Sequence, residues 1–241
     1  MSEISLEEYF EGFTVIPTVT AVEYVRLSHP HISDSTARGY VSEMVNDGLL
    51  KRVGKGKYVL GESREYNPGH GEDVRALHLK LKEEYPFLDV CIWHTSQLNE
   101  FLQHQLVRHF MLIEVEQEAV ETVFEFIKDE GFVTLSNPSA EVLEKYTANE
   151  GDTYIIMPLV SEAPIVKKNE FQTASIEKIL VDVFCDRGVF NSIQGSELTV
   201  LFMHAFEKYT INRDRLLRYA GRRGKKSEIE KFINELDTDK K

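Results

Sequence analysis

The sequence predicts an α+β chain in two parts, and three observations carry that prediction. About sixty N-terminal residues show helical periodicity and then a glycine-tipped basic hairpin. Residues from 73 onward alternate helical and strand patterns, and beyond Pro164 helical spacing alone remains. The chain has 241 residues, which at about 150 per domain suits one large or two small domains. With 42% hydrophobic and 28% charged residues there is material for a core, which excludes wholesale disorder. The two cysteines, Cys91 and Cys185, form no CxxC and lie in apolar runs, so buried free thiols in a reducing compartment are expected. No segment approaches the roughly 18 apolar residues of a membrane helix. Residues 1–11 are acidic and lack signal-peptide order, so a cytoplasmic chain with no membrane partner is expected.

Leu6, Tyr9, Phe10 and Phe13 fall at helical spacing and predict a first amphipathic helix. A second is expected over 18–27, with Val22 and Val25 on one side, stopped at His29-Pro30 because the residue before proline is pushed out of the helical region. Ser33 or Asp34 can cap a third, whose buried stripe is Ala37, Tyr40, Val41, Met44 and Val45, and Asp47-Gly48 ends it. Residues 49–53 read as a strand, Gly54-Lys55-Gly56 as its turn and 57–60 as the return.

Helix, turn, helix and basic hairpin is the order of a winged helix-turn-helix, assigned to 1–62. The buried stripe would leave Ser35, Thr36, Arg38, Gly39 and Ser42 facing outward, where small hydroxyls and one arginine allow close approach to a DNA groove. Arg52, Lys55 and Lys57 on the wing can reach phosphates. Winged helices also dock proteins, and Glu43 and Asp47 would repel phosphate, so a purely structural winged domain stays open.

Charge bears on the same question. Net charge is −12, which argues against nonspecific coating of nucleic acid. Residues 26–60 nevertheless hold six basic against three acidic residues, and residues 211–231 hold eight against three. In the second island Arg215, Arg218 and Arg222 fall at helical spacing, and Arg223, Lys225 and Lys226 complete a cationic corner. That surface could take DNA backbone, an acidic partner, or only internal salt bridges.

The polar stretch 63–72 reads as a linker. After it come a helix on Val74, Leu77, Leu81 and Tyr85, a strand at 88–93, a helix through Leu98, Phe101, Leu102 and Leu106, and a strand at 110–115. A helix on Val120, Val123, Phe124 and Ile127 leads to strands at 132–135 and 154–158, giving an α/β layer. The remaining helices carry Ile176, Ile179, Leu180, Val183 and Phe184; then Leu198, Leu201, Phe202, Ala205 and Phe206; then Leu216 and Leu217; and finally Ile229, Phe232, Ile233 and Leu236.

Residues 18–61 resemble the winged helix of the AbiEi-type antitoxins, through Ile32-Ser33, Asp47-Gly48-Leu49-Leu50 and Val53-Gly54-Lys55-Gly56-Lys57-Tyr58. The likeness continues through Cys91-Ile92-Trp93, Leu98-Asn99-Glu100-Phe101, the run Ile176-Glu177-Lys178-Ile179-Leu180-Val181-Asp182, and Arg215-Leu216-Leu217-Arg218-Tyr219-Ala220. It implies a nucleotidyltransferase-like domain over 73–241, catalytically inactive. It also implies a type IV-like toxin-antitoxin system, in which the chain represses its own promoter through an inverted repeat in double-stranded DNA and opposes a cognate nucleotidyltransferase toxin. A stand-alone regulator whose C-terminal domain senses a ligand or partner is the alternative.

A working nucleotidyltransferase needs a Gly-Ser or Gly-Gly turn and, some ten residues on, an Asp-x-Asp pair to hold magnesium. Gly195-Ser196 precedes an apolar helix without such a pair, and Asp237-Thr238-Asp239 lies far beyond, so Gly195-Ser196 reads as a helix cap. His104 and His109 miss the spacing of a shared helix face, His94 lacks a partner at ligand spacing, and Asp182 and Asp186 read as solvated. Neither a catalytic residue nor a metal or cofactor site is expected, and no enzyme.

Overall fold

The computed structural model describes residues 5–61, 64–69, 71–146, 153–168 and 171–238. The N-terminal part runs α1 (Leu6–Tyr9), β1 (Ile16–Pro17), α2 (Thr18–Ser28), α3 (Asp34–Asn46), β2 (Leu50–Gly54) and β3 (Lys57–Leu60), with sheet order β1-β3-β2. This helix–helix–hairpin arrangement resembles a winged helix. Ser33 is the cap of α3: its hydroxyl accepts the Thr36 N–H at 3.1 Å, satisfying a donor the helix leaves open. Gly48, at φ 75°, supplies the left-handed residue just past the helix end. Phe10, Ile16, Ala21, Val22, Val25, Ala37, Val41, Leu50 and Tyr58 form the core.

Two details differ from expectation. The first helix is a single turn, because Gly12 at φ 82° turns the chain before Phe13 can join. Tyr40 stands outside the buried stripe: it is exposed and stacks on His29 with ring centroids 4.7 Å apart.

The larger part is built on a mixed sheet. After α4 (Glu72–Glu84) come β4 (Val90–His94), β5 (Phe110–Val115), α5 (Val120–Asp129), β6 (Thr134–Ser136), α6 (Ala140–Tyr146) and β7 (Thr153–Pro158). The sheet order is β4-β5-β7-β6, with β4 antiparallel to β5 and the other pairs parallel. Alternation along the strands divides the core. Val90, Ile92, Met111, Ile113 and Val115 face α4 and α5, whereas Cys91, Trp93, Leu112 and Ile155 face the helices that follow.

Those helices are α7 (Ile176–Cys185), α8 (Ser196–Lys208), α9 (Arg213–Arg222) and α10 (Lys226–Thr238), reached through the hairpin β8 (Ile165–Lys168) and β9 (Phe171–Ala174). Helix α7 is buried on every side from Ile176 to Phe184, which makes it the axis of this part. Neither the β8–β9 hairpin nor α6 was expected. The helix expected through Leu106 is instead a 3-10 segment, Thr95–Glu100, where the Thr95 hydroxyl accepts the Phe110 N–H and Asn99 accepts the Leu106 N–H.

The two parts touch. Of the expected linker, Ser63 and His70 lie outside the described residues, as does Glu62 before it, while the Arg64 carbonyl accepts the Thr210 N–H and the Arg64 N–H donates to the Thr210 hydroxyl. Tyr66 packs between Phe101 and Tyr209 and donates its hydroxyl to Gln97.

Candidate nucleic-acid interface

A bulge in the hairpin sets the wing. Arg52 pairs with Tyr58 and Gly54 with Lys57, leaving Val53 as the extra residue that bends the strand. Gly56 sits at φ 68°, and a Cβ there would come within 2.9 Å of the Thr18 hydroxyl. The Gly56 carbonyl accepts the Thr18 N–H at 2.9 Å, so the wing turn is pinned to the start of α2.

Between α3 and the wing lies a cavity of about 530 Å³, lined by Thr18, Arg38, Val41, Ser42, Arg52, Lys55, Gly56 and Tyr58. It brings together four of the eight residues expected to meet DNA: Arg38, Ser42, Arg52 and Lys55. Arg52 lies over the Tyr58 ring and donates to its hydroxyl at 3.4 Å, and Ser42 donates to the Arg38 carbonyl at 3.0 Å. Ser35, Thr36 and Gly39 are exposed on the same helix but do not line the cleft. Thr18, at the N-terminus of α2, escaped the sequence reading because nothing local marks its approach to a turn 38 residues on.

Lys57 faces elsewhere. Its ammonium meets Asp214 Oδ1 of α9 at 2.9 Å, and the backbone N–H of Lys55 donates to Asp214 Oδ2 at 2.7 Å. The Lys57 ammonium, aided by the Lys55 N–H and opposed only by slight burial, holds the Asp214 carboxyl below the ordinary carboxylate range. A Cβ on Gly54 would come within 2.8 Å of the same oxygen, so glycine is what lets α9 approach the wing.

Much of the second basic island is engaged within the protein. Arg215 is half-buried and donates to the Ile165 carbonyl, Arg222 pairs with Glu162, Arg223 with Asp186 and Asp182, and Lys225 with Glu228. Arg218 and Lys226 are exposed. Arg218 and Arg222 follow Asp214 at four-residue steps, so they continue along α9 from the wing contact.

Under α9 lies a buried charge cluster. Lys178, fully buried on α7, donates to both Glu114 oxygens at 2.5 and 2.6 Å and to Asp182 at 2.5 Å. Trp93 Nε1 donates to Glu114 at 3.1 Å, and the Tyr219 hydroxyl to Asp182 at 2.8 Å. Burial alone would lower the Lys178 pKa, but Asp182 and Glu114 outweigh it and hold the ammonium well above its usual value. Burial pushes the Glu114 carboxyl up against the pull of Lys178. Asp182 is therefore no solvated carboxylate but a buried counter-ion, and Asp186, its partner four residues on, is paired with Arg223. Both correct the sequence expectation. The cluster welds β4, β5, α7 and α9 together.

A second cavity, of about 580 Å³, opens between the 102–110 loop, α6 and the start of α8, with Phe110, Leu143 and Val189 in its walls. At its rim His104 Nδ1 meets Glu197 at 3.0 Å, while His109 is engaged with Asn99 and His94 with Ser96. Gly195, at φ 67°, precedes Ser196 as the N-cap of α8, and Asp237 is held by Arg213 in two hydrogen bonds of 2.6 and 2.9 Å. Among the described residues no three His, Cys, Asp or Glu side chains converge as metal ligands.

The model of a family of unknown function, DUF6577, matches residues 36–239. The match begins inside α3 and so takes in most of that helix, the wing and the body together. No curated protein matches the chain.

Proposed function

The chain belongs to the DUF6577 family, and for it we propose the function of a DNA-binding antitoxin and transcriptional autorepressor. The N-terminal domain reads an inverted repeat in its own promoter, and the C-terminal domain, a nucleotidyltransferase-like unit without catalysis, opposes a nucleotidyltransferase toxin in the same compartment. The observation that supports the DNA half most strongly is the cleft between α3 and the wing, where Arg38, Arg52 and Lys55 surround the hydroxyls of Thr18 and Ser42. Arginine can read a guanine edge with two hydrogen bonds, while wing cations hold the phosphates on either side. The toxin half draws on the resemblance to AbiEi-type antitoxins across the body.

The test is a titration of the upstream DNA against scrambled duplex. Arg38→Ala and Ser42→Ala are expected to erode the preference between the two. Lys55→Ala combined with Lys57→Ala is expected to weaken both alike. Unchanged affinity in the double lysine variant removes the wing from the account. For the toxin half, co-expression with a nucleotidyltransferase-like neighbour gene should restore growth; no rescue would contradict it.

A second reading has its own support. The cavity of about 580 Å³ in the C-terminal part is large enough for a small ligand, which favours a stand-alone regulator whose body senses a metabolite or partner. The neighbouring reading frame separates the two, since only the antitoxin reading requires a toxin gene beside this one.

A further inference from the structure

The wing carries three of the cations expected to grip DNA, yet the structure gives one of them, Lys57, a carboxylate from the other half of the chain. Asp214, in the first turn of α9, takes the Lys57 ammonium on one oxygen and the Lys55 backbone N–H on the other. The same two donors could hold two oxygens of a phosphate, and a carboxylate presents the same pair of acceptors. The contact is specifically accommodated: Gly54 has no side chain where the Asp214 oxygens lie, and α9 packs along β2. The anion is also firmly placed. Asn212 caps α9 by accepting the Arg215 N–H, and its own N–H donates to Glu177 of the buried helix α7.

We propose that Asp214 is an internal competitor for DNA: it occupies the wing's phosphate-binding donors in the free protein and must yield them when the wing takes up the backbone. The inference rests on the DNA-binding reading above and adds its regulation. Because α9 is part of the C-terminal body, whatever displaces that helix frees the wing, and whatever fixes it weakens the grip on DNA. Both halves of the chain therefore bear on DNA affinity through one carboxylate.

The experiment compares the full chain with Asp214→Asn on its own upstream duplex over a salt series. An exposed ion pair of this kind is worth a roughly two- to fivefold change in affinity, so the variant should bind tighter by about that factor. One phosphate newly neutralised should steepen the log–log salt slope by about 0.9. In a Lys57→Ala background most of the gain should vanish, because the released cation is gone. Asp214→Ser, with thermal midpoints for all variants, guards against a folding artefact and should bind tighter as well. If the wild type binds specifically and Asp214→Asn binds equally or more weakly, the competition is wrong while the DNA reading stands. If neither binds the upstream DNA better than scrambled duplex, the DNA reading falls and takes the competition with it.

Discussion

Replacing Lys178 by methionine should leave two carboxylates facing each other in a dry interior. The substitution keeps most of the volume and removes only the charge. In the native protein one ammonium, fully buried, lies 2.5–2.6 Å from oxygens of both Glu114 and Asp182. Breaking a buried pair by removing one partner costs about 3–5 kcal/mol, because the partner is left as an uncompensated charge. Glu114 is the carboxylate stranded here, whereas Asp182 keeps Arg223 at 3.5 Å, which argues for the lower end. Glu114 can limit the loss by taking a proton, since burial already pushes its carboxyl up.

For a chain of this length such a loss corresponds to a fall in the thermal midpoint of about 6–20 °C. The pH dependence carries the mechanism. Without Lys178 the buried Glu114 carboxyl titrates above its unfolded value, so its proton-linked stability is present at low pH and lost as pH rises through the raised pKa. The deficit relative to wild type should therefore be largest near pH 8 and shrink toward pH 5. Urea unfolding of both proteins across that range measures it. A deficit under about 1 kcal/mol, or one independent of pH, would refute the reasoning.

Other expectations follow from single contacts. Tyr219→Phe removes the hydroxyl from Asp182 and should cost about 1.5–3 kcal/mol in urea unfolding, the range for a buried hydrogen bond to a charged group. Ser33→Ala uncaps α3 and should cost about 1 kcal/mol, read the same way. The bond from the Lys55 amide to Asp214, followed by that amide's chemical shift, should persist from pH 8 to pH 5. Lys57 and Lys55 depress the Asp214 pKa, so the contact is intact throughout and above the ordinary carboxylate range and is lost only as pH falls through the lowered value. Charge reversal at Arg218 and Arg222 should weaken DNA binding or toxin neutralisation; an unchanged result in both would leave that helix face a purely structural one.

The N-terminal part was legible because its punctuation is local. Pro30, Ser33, Asp47-Gly48 and Gly54-Lys55-Gly56 each act within a few residues, and the observed boundaries of α2, α3 and the hairpin fall close to them. The main strands were legible for a similar reason, since both faces of the sheet are covered and the runs 90–94 and 110–115 are almost wholly apolar. The β8–β9 hairpin was not, because two four-residue strands just after Pro164 are too short to show a period.

The charge cluster was missed for a different reason. Glu114 meets Lys178 across 64 residues, and no local rule pairs them. A faint signal existed: a single glutamate inside Phe110–Val115, and a lysine and aspartate four apart within the apolar run of α7, are charges where burial is otherwise complete. The Asp214 contact had no such mark, because an aspartate in a first helical turn is ordinary dipole chemistry. Of the cleft, the sequence showed the cations but not the closure. The contact of Gly56 with Thr18 pins the wing to α2, and the space it encloses with α3 is visible only once the chain is folded.

The most direct measurement is the ratio of dissociation constants for the chain's own upstream duplex and a scrambled duplex of equal length, taken from low to physiological salt. The account predicts a preference of about a thousandfold or more at physiological salt, with both affinities falling as salt rises. Equal affinity for the two duplexes would contradict it, and no binding at low salt would contradict it and leave the N-terminal part a protein-docking module.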